Sequence, residues 1–304
     1  MRSILQIILA LALNILIISC SKTKQEAPVP VNSAITVDIT ATHAIELAYP
    51  IKALTFLSND TAPWLGQVIV LTEKGKLYST GIEGNVVKAI GSRKYKDIFG
   101  LSRKNSAGVF LAITDNNTLE AFIESDDNGN FSAMTISGNA KNLTRFCTTS
   151  KPKSNSIKAL TSNGSSITEL HFDITKLVIE QSELQEILLE APIRGCSYDD
   201  DSYTPNANVF SINGEPFSLS TDKKHIVLNN AEAQDGEVYN LSIENGFSIQ
   251  GLKSASFITL TTENFGGTAF KDGLVAMVDA DRPKRIVFIS LDYLNRTITE
   301  LHAP

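Results

Sequence analysis

The feature that most constrains this chain is a recurrence. Beyond residue 34, short runs of β-branched and apolar residues alternate with clusters of Gly, Asn, Asp and Ser, and almost nothing has helical period. The clearest unit runs Gln67 to Thr72, a turn at Glu73 to Gly75, Lys76 to Thr80, a turn at Ile82 to Asn85, then Val86 to Ile90. Apolar runs of that length bounded by turn formers read as strands, and tight turns between them make an antiparallel meander. Val109 to Ile136 repeats the plan, as do Ser156 to Glu180, Val209 to Leu228, a shorter Val238 to Ile249, and Gly273 to Leu291, with Thr297 to Leu301 as a last strand. The interval of roughly 40 to 50 residues is that of propeller blades. The expected fold is all-β, a β-propeller of about six four-stranded blades over residues 34–304. A β-sandwich would not explain the repeating interval. Each blade is apolar on both faces, so no blade is stable without its neighbours. Ala34 to Ile39 and Ile45 to Ala48 are available to close the ring. Ser182 to Leu189 is a short amphipathic helix candidate, and Trp64, the only tryptophan, reads as a packing residue.

The N-terminus is organised differently. Met1-Arg2 is a short positive segment, and Ile4 to Ile18 is apolar apart from Gln6 and Asn14. Ile17 to Cys20 then matches a bacterial lipobox, which makes residues 1–19 a lipoprotein signal peptide and Cys20 the acylated residue. Residues 20–33 are polar with two prolines and read as a flexible tether with nothing to bury. Multiple acyl chains are sufficient for stable membrane attachment. The expected location is the bacterial cell envelope, and Ser21 after the cysteine favours the outer membrane.

Removing residues 1–19 takes away one basic residue, Arg2, from the 27 present, leaving 26 against 33 acids, a net charge of −7. A mildly acidic chain without a basic run excludes nucleic acid as the expected partner. Two cysteines remain in the folded part, Cys147 and Cys196. Export makes a disulfide between them plausible, and two free thiols are the alternative. The stretch Arg194 to Asp201 sets three consecutive carboxylates beside a cysteine and an arginine. Such a loop can supply oxygen ligands to Ca²⁺, or it is simply an acidic surface turn. The four histidines, His43, His171, His225 and His302, show no metal-binding spacing. No Gly-X-Ser-X-Gly elbow, Walker loop or His-Glu-X-X-His occurs.

Taken in order, the blade motifs resemble the β-propeller phytases, calcium-dependent phosphomonoesterases acting on inositol hexakisphosphate. Four places carry the resemblance: Val70 to Tyr78; Asp97 to Gly100 followed by Thr114 to Phe122; Phe146-Cys147 with Ile157 to Leu160, Ser162 to Gly164 and Thr168 to Leu170; and Gly195 to Asp200. Together they span nearly all of residues 45–293. The resemblance implies several Ca²⁺ ions in a central acidic channel that neutralise substrate phosphates and activate water. It leaves Lys74 or Lys76 for phosphate and Asp97, Asp199, Asp200 and Glu263 as candidate metal ligands, while Arg194, by its own guanidinium chemistry, could face a phosphate directly. The departures are as informative. Arg194 stands where the family has a glutamate ligand, and Thr114 stands where it has a phosphate-binding arginine. The first-blade acids fall near Pro50 to Ala53, which has none, and the fourth blade keeps Glu215 at best. Calcium affinity rises with ligand charge, so the expected site is weak or lost. The expected function is an envelope-anchored binding module for an anionic or phosphorylated small molecule or an envelope protein. The alternative is an active calcium-dependent phosphomonoesterase.

Overall fold

The structure, a computed structural model, describes residues 35–101, 108–126, 129–138, 140–148, 156–161, 166–173, 176, 178–182, 196–199, 202–205, 207–221, 224–230 and 238–301. Residues 1–34, and with them the signal peptide, Cys20 and the tether, lie outside the described residues.

The chain opens with β1 (Ile35–Thr40) and β2 (His43–Glu46). Blade 1 is β3 (Ile51–Leu57), β4 (Gln67–Thr72), β5 (Leu77–Gly81) and β6 (Val87–Ile90). Blade 2 is β7 (Tyr95–Leu101), β8 (Val109–Thr114), β9 (Leu119–Asp126) and β10 (Asn130–Met134). After the two-residue β11 (Ser137–Gly138), blade 3 is β12 (Leu143–Thr148), β13 (Ser156–Thr161), β14 (Ile167–Asp173) and β15 (Val178–Ser182). A hairpin follows, β16 (Cys196–Asp199) with β17 (Ser202–Pro205). Blade 4 is β18 (Ala207–Ile212), β19 (Glu215–Thr221), β20 (Ile226–Asn230) and β21 (Val238–Glu244). Blade 5 takes β22 (Ala255–Thr261), β23 (Leu274–Asp279) and β24 (Arg285–Ser290) from the end of the chain and β2 from its beginning.

The chain is therefore an all-β propeller. Its inner strands touch in the ring order β3, β7, β12, β16, β18, β22 and back to β3. Among the described residues, five of these six positions carry a four-stranded blade and the sixth carries only the β16–β17 hairpin. β4, β8, β23 and β24 are buried along their whole length, without alternation. That pattern follows from a sheet covered on both faces by neighbouring blades, and it explains why continuous apolar runs dominate the sequence.

Closure uses both N-terminal strands. β2 pairs antiparallel with β24, His43 opposite Phe288. β1 pairs parallel with β21 on blade 4, Ile35 opposite Tyr239. The N-terminal segment thus stitches the last two blades. Among the described residues every buried apolar one lies between Val37 and Ile298, so a chain beginning at Ser21 keeps the whole described core.

Three sequence readings are corrected. Thr297 to Leu301 is the end of α1 (Leu291–Leu301), not a strand. Leu291, Leu294 and Ile298 are its buried stripe, at helical spacing. Thr297 and Thr299, which suggest a strand, turn their hydroxyls onto the carbonyls of Tyr293 (2.9 Å) and Asn295 (2.8 Å). Residues 247–249 form no strand, and Phe247 stands fully exposed in a loop. Trp64 sits in a 3₁₀ turn (Pro63–Leu65) and is 70% exposed, so it does not pack into a core. The helix candidate after Ser182 lies outside the described residues.

Candidate functional site

The site is built by a unit that recurs in four of the five blades, 1, 2, 3 and 5. The strand pairing sets Ile51 opposite Thr72, Tyr95 opposite Thr114, Leu143 opposite Thr161 and Ala255 opposite Asp279. Each of these threonines organises the turn to the next strand. Thr72 Oγ1 accepts from the Lys76 N–H (3.0 Å), Thr114 Oγ1 from the Thr118 N–H (3.3 Å), and Thr161 Oγ1 donates to the Ser166 carbonyl (3.3 Å). The first two turns need a left-handed residue, supplied by Gly75 (φ 76°) and Asn117 (φ 61°). A carbonyl of the turn then accepts the first N–H of the next blade's inner strand. Gly75 takes Tyr95 (2.9 Å), Asn117 takes Leu143 (3.4 Å) and Pro283 takes Ile51 (2.7 Å). These turns and the starts of the inner strands therefore share one face of the propeller.

At that face each of four inner strands carries a bulge. The register skips Lys52 in β3, Lys96 in β7, Thr144 in β12 and Ser256 in β22. A bulge re-aims the side chains beside it. Here it gathers Lys52, Lys96, Asp97 and Arg145 at the mouth of the inner-strand ring, on adjacent blades 1, 2 and 3.

Asp97 is buried, and its Oδ2 accepts from the Phe146 N–H at 2.8 Å, tying β7 to β12. Burial pushes its carboxyl above the usual range, against the opposing pull of Arg145, the Phe146 and Ile98 amides and Lys52. Lys52 is half-buried, and burial followed by repulsion from Arg145 lowers its ammonium below the usual range, only partly offset by Asp97. Lys96 donates to Asn117 Oδ1 at 2.5 Å. Among the described residues, neither Lys52 nor Arg145 has a carboxylate within the 4.0 Å of an ion pair. The mouth thus sets two cations, Lys52 and Arg145, against one carboxylate that already serves a backbone amide, with Lys96 adding to the positive charge felt by Lys52.

The residues singled out in the sequence fall in several places. Lys74 and Lys76 are exposed on the blade 1 turn, on the same face as the mouth, and Lys76 Nζ donates to the Ser92 carbonyl at 3.1 Å. Glu263 follows the far end of β22, on the opposite face from Asp97. Asp199 closes β16 beside the hairpin turn, while Arg194 and Asp200 lie outside the described residues. Thr114 is buried and bonded to Thr118 (2.7 Å), a turn residue rather than a ligand. Glu215 is exposed at the start of β19 and accepts from Asn230 (3.1 Å). Sequence reasoning missed Lys52, Lys96 and Arg145. Aligning Ile51-Lys52-Ala53 with Tyr95-Lys96-Asp97 and Leu143-Thr144-Arg145 exposes them, because they occupy the same two positions of the repeat.

Calcium does not fit the described groups at the mouth. The ion takes six to eight oxygens and is favoured by ligand charge, whereas here one carboxylate faces two cations. Among the described residues no cluster of three His, Cys, Asp or Glu side chains has metal-binding geometry.

No protein-family model and no curated protein matches this chain by sequence. Solved structures similar to it are β-propeller-like. One is YCF48 bound to a D1 peptide, at 9% identity and TM-score 0.44, covering 86% of this chain and 100% of that one. Another is BBS1N in complex with ARL6DN, at 9% identity and TM-score 0.32, covering 79% of this chain and 65% of that one. A third is S. cerevisiae dbp5 bound to nup159, gle1, ip6 and adp, at 10% identity and TM-score 0.33, covering 80% of this chain and 65% of that one. The class of protein is a propeller scaffold, and these likenesses carry no statement about its ligand.

Proposed function

We propose that this chain is an envelope-anchored binding propeller whose central mouth takes an anionic group, a phosphate or carboxylate, by direct charge pairing. The observation that carries it is the pair Lys52 and Arg145, two half-buried cations with no carboxylate at ion-pair distance among the described residues, flanking Asp97, whose carboxylate is already committed to Phe146. An arriving anion would offset the burial and the Arg145 repulsion that together lower the Lys52 ammonium, and the planar Arg145 guanidinium suits a two-oxygen anion. The resemblance to β-propeller phytases supports a divergent member that has exchanged calcium-mediated for direct phosphate recognition. The lipobox at Cys20 supports attachment to the outer membrane.

The test is calorimetric titration of residues 21–304 with inorganic phosphate and with inositol hexakisphosphate, each with and without Ca²⁺. Binding should need no Ca²⁺ and should weaken at least about tenfold in Lys52→Met or Arg145→Met, the loss of one charged hydrogen bond. Release of phosphate that depends on Ca²⁺ would establish the phosphomonoesterase instead.

The Cys147–Cys196 disulfide belongs to the same proposal. The two residues are register partners on the parallel strands β12 and β16. Adjacent strands lie about 4.8 Å apart, within the Cα separation a disulfide spans. Thiol labelling of the unfolded, unreduced chain should find neither cysteine free, and labelling of both would refute the bond.

A further inference from the structure

We propose that the cationic arc outside the mouth docks on an anionic phospholipid surface and turns this face of the propeller toward the bilayer. The inference rests on the lipid-anchor reading given above and goes beyond it, because it concerns a second surface and its partner.

The arc is continuous. The blade 1 turn bearing Lys74 and Lys76 bonds through Gly75 to Tyr95, and Lys76 reaches Ser92. The 92–95 segment bearing Arg93 and Lys94 bonds through the Lys94 carbonyl to the Asp115 N–H. The Asn117 turn in its turn holds Leu143, two residues from Lys141. Lys74, Lys76, Arg93, Lys94 and Lys141 are all exposed along this path. Only Glu73 and Asp115 on the same turns oppose them, together with Glu120, which pairs with Arg93 at 2.7 Å. The chain as a whole carries a net charge of −6, so this concentration of positive charge is local. The loops at the other end of blades 1 and 5 have the opposite balance, with Asp60, Glu263 and Asp272 against Lys271.

The shape of the feature selects the partner. A small anion needs convergent donors, as at the mouth, whereas exposed lysines spread along successive turns match a surface of repeated charge. A tether of residues 20–33 spans at most roughly 50 Å, which holds such a surface at high effective concentration.

The experiment is co-sedimentation of residues 21–304 with phosphatidylcholine vesicles and with vesicles containing phosphatidylglycerol. Binding is expected only to the second kind, to be lost at high salt, and to fall on the order of fivefold for each basic residue removed from the surface. The paired change Lys74→Glu with Lys94→Glu should abolish it at an unchanged melting temperature, while Lys271→Glu on the other face should leave it intact. Should the paired variant fail to fold, Lys94→Gln and the salt dependence of the parent chain decide the question. Equal binding to both vesicles, no binding to either, or loss in Lys271→Glu would overturn the proposal. Binding of inorganic phosphate without vesicle binding would overturn it while leaving the function of the mouth standing.

Discussion

Asp97 shows how one residue can belong to the structure and border the site at once. Its carboxylate bridges two inner strands that share no main-chain ladder, so it acts as a latch between blades 2 and 3. Burial raises its carboxyl, so the folded chain holds that proton more tightly than the unfolded chain. Its contribution to stability is then full below the ordinary carboxylate range and is lost as pH rises through the raised value. Asp97→Asn keeps an acceptor for Phe146 and removes the ionisation. It should melt at or above the parent at neutral pH, with the difference vanishing below about pH 4. Asp97→Ala should lose about 1–3 kcal/mol across the range, because the Phe146 amide is left unpaired. Thermal melts from pH 3 to 8 decide this, and an Asn variant as unstable as the Ala variant would sink the latch.

The turn is the element that repeats, and blade 5 shows what happens when its key residue changes. Asp279, 2% exposed, replaces the threonine of Thr72, Thr114 and Thr161. It accepts from the Asp281 and Arg282 amides and pairs with Arg282 and Arg285, the latter 5% exposed. Arg285 also donates to the Gly251 and Gln250 carbonyls, fastening the turn to the loop that enters blade 5. Losing the carboxylate strands a buried guanidinium, so Asp279→Ala should cost about 3–5 kcal/mol in urea unfolding. Thr114→Ala should cost only about 1 kcal/mol, the worth of a neutral hydrogen bond. Similar costs for the two would refute the ion-pair role. Nothing local in the sequence marks Asp279, because its two arginine partners mean nothing until the turn brings them together.

At the scale of the molecule the ring depends on its first strands. Strands β1 and β2 cover the edges of blades 4 and 5, and Val37, Ile39 and Ile45 are buried there. A chain starting at Leu47 loses both strands and should fail to give a cooperative melt, since each blade is stable only against its neighbours. A parental transition in that truncation, followed by circular dichroism, would show the closure to be dispensable.

The sequence by itself determined the strands, their repeating interval and hence the propeller, because unbroken apolar runs and turn formers are local signals that a doubly covered sheet imposes. It also carried the identity of every residue at the mouth. Only the tertiary structure decided which of them meet. Lys52, Asp97 and Arg145 are far apart in the chain, and they come within reach of one another beside a bulge at the same position of three inner strands. Bulges change register without a compositional mark, so the candidate ligand set drawn from sequence mixed Asp97 with Glu263, which the fold places on opposite faces. The helix at the C-terminus was hidden for a related reason. β-Branched Thr-Ile-Thr favours a strand locally, and the apolar stripe of Leu291, Leu294 and Ile298 becomes decisive only once a core exists for it to cover.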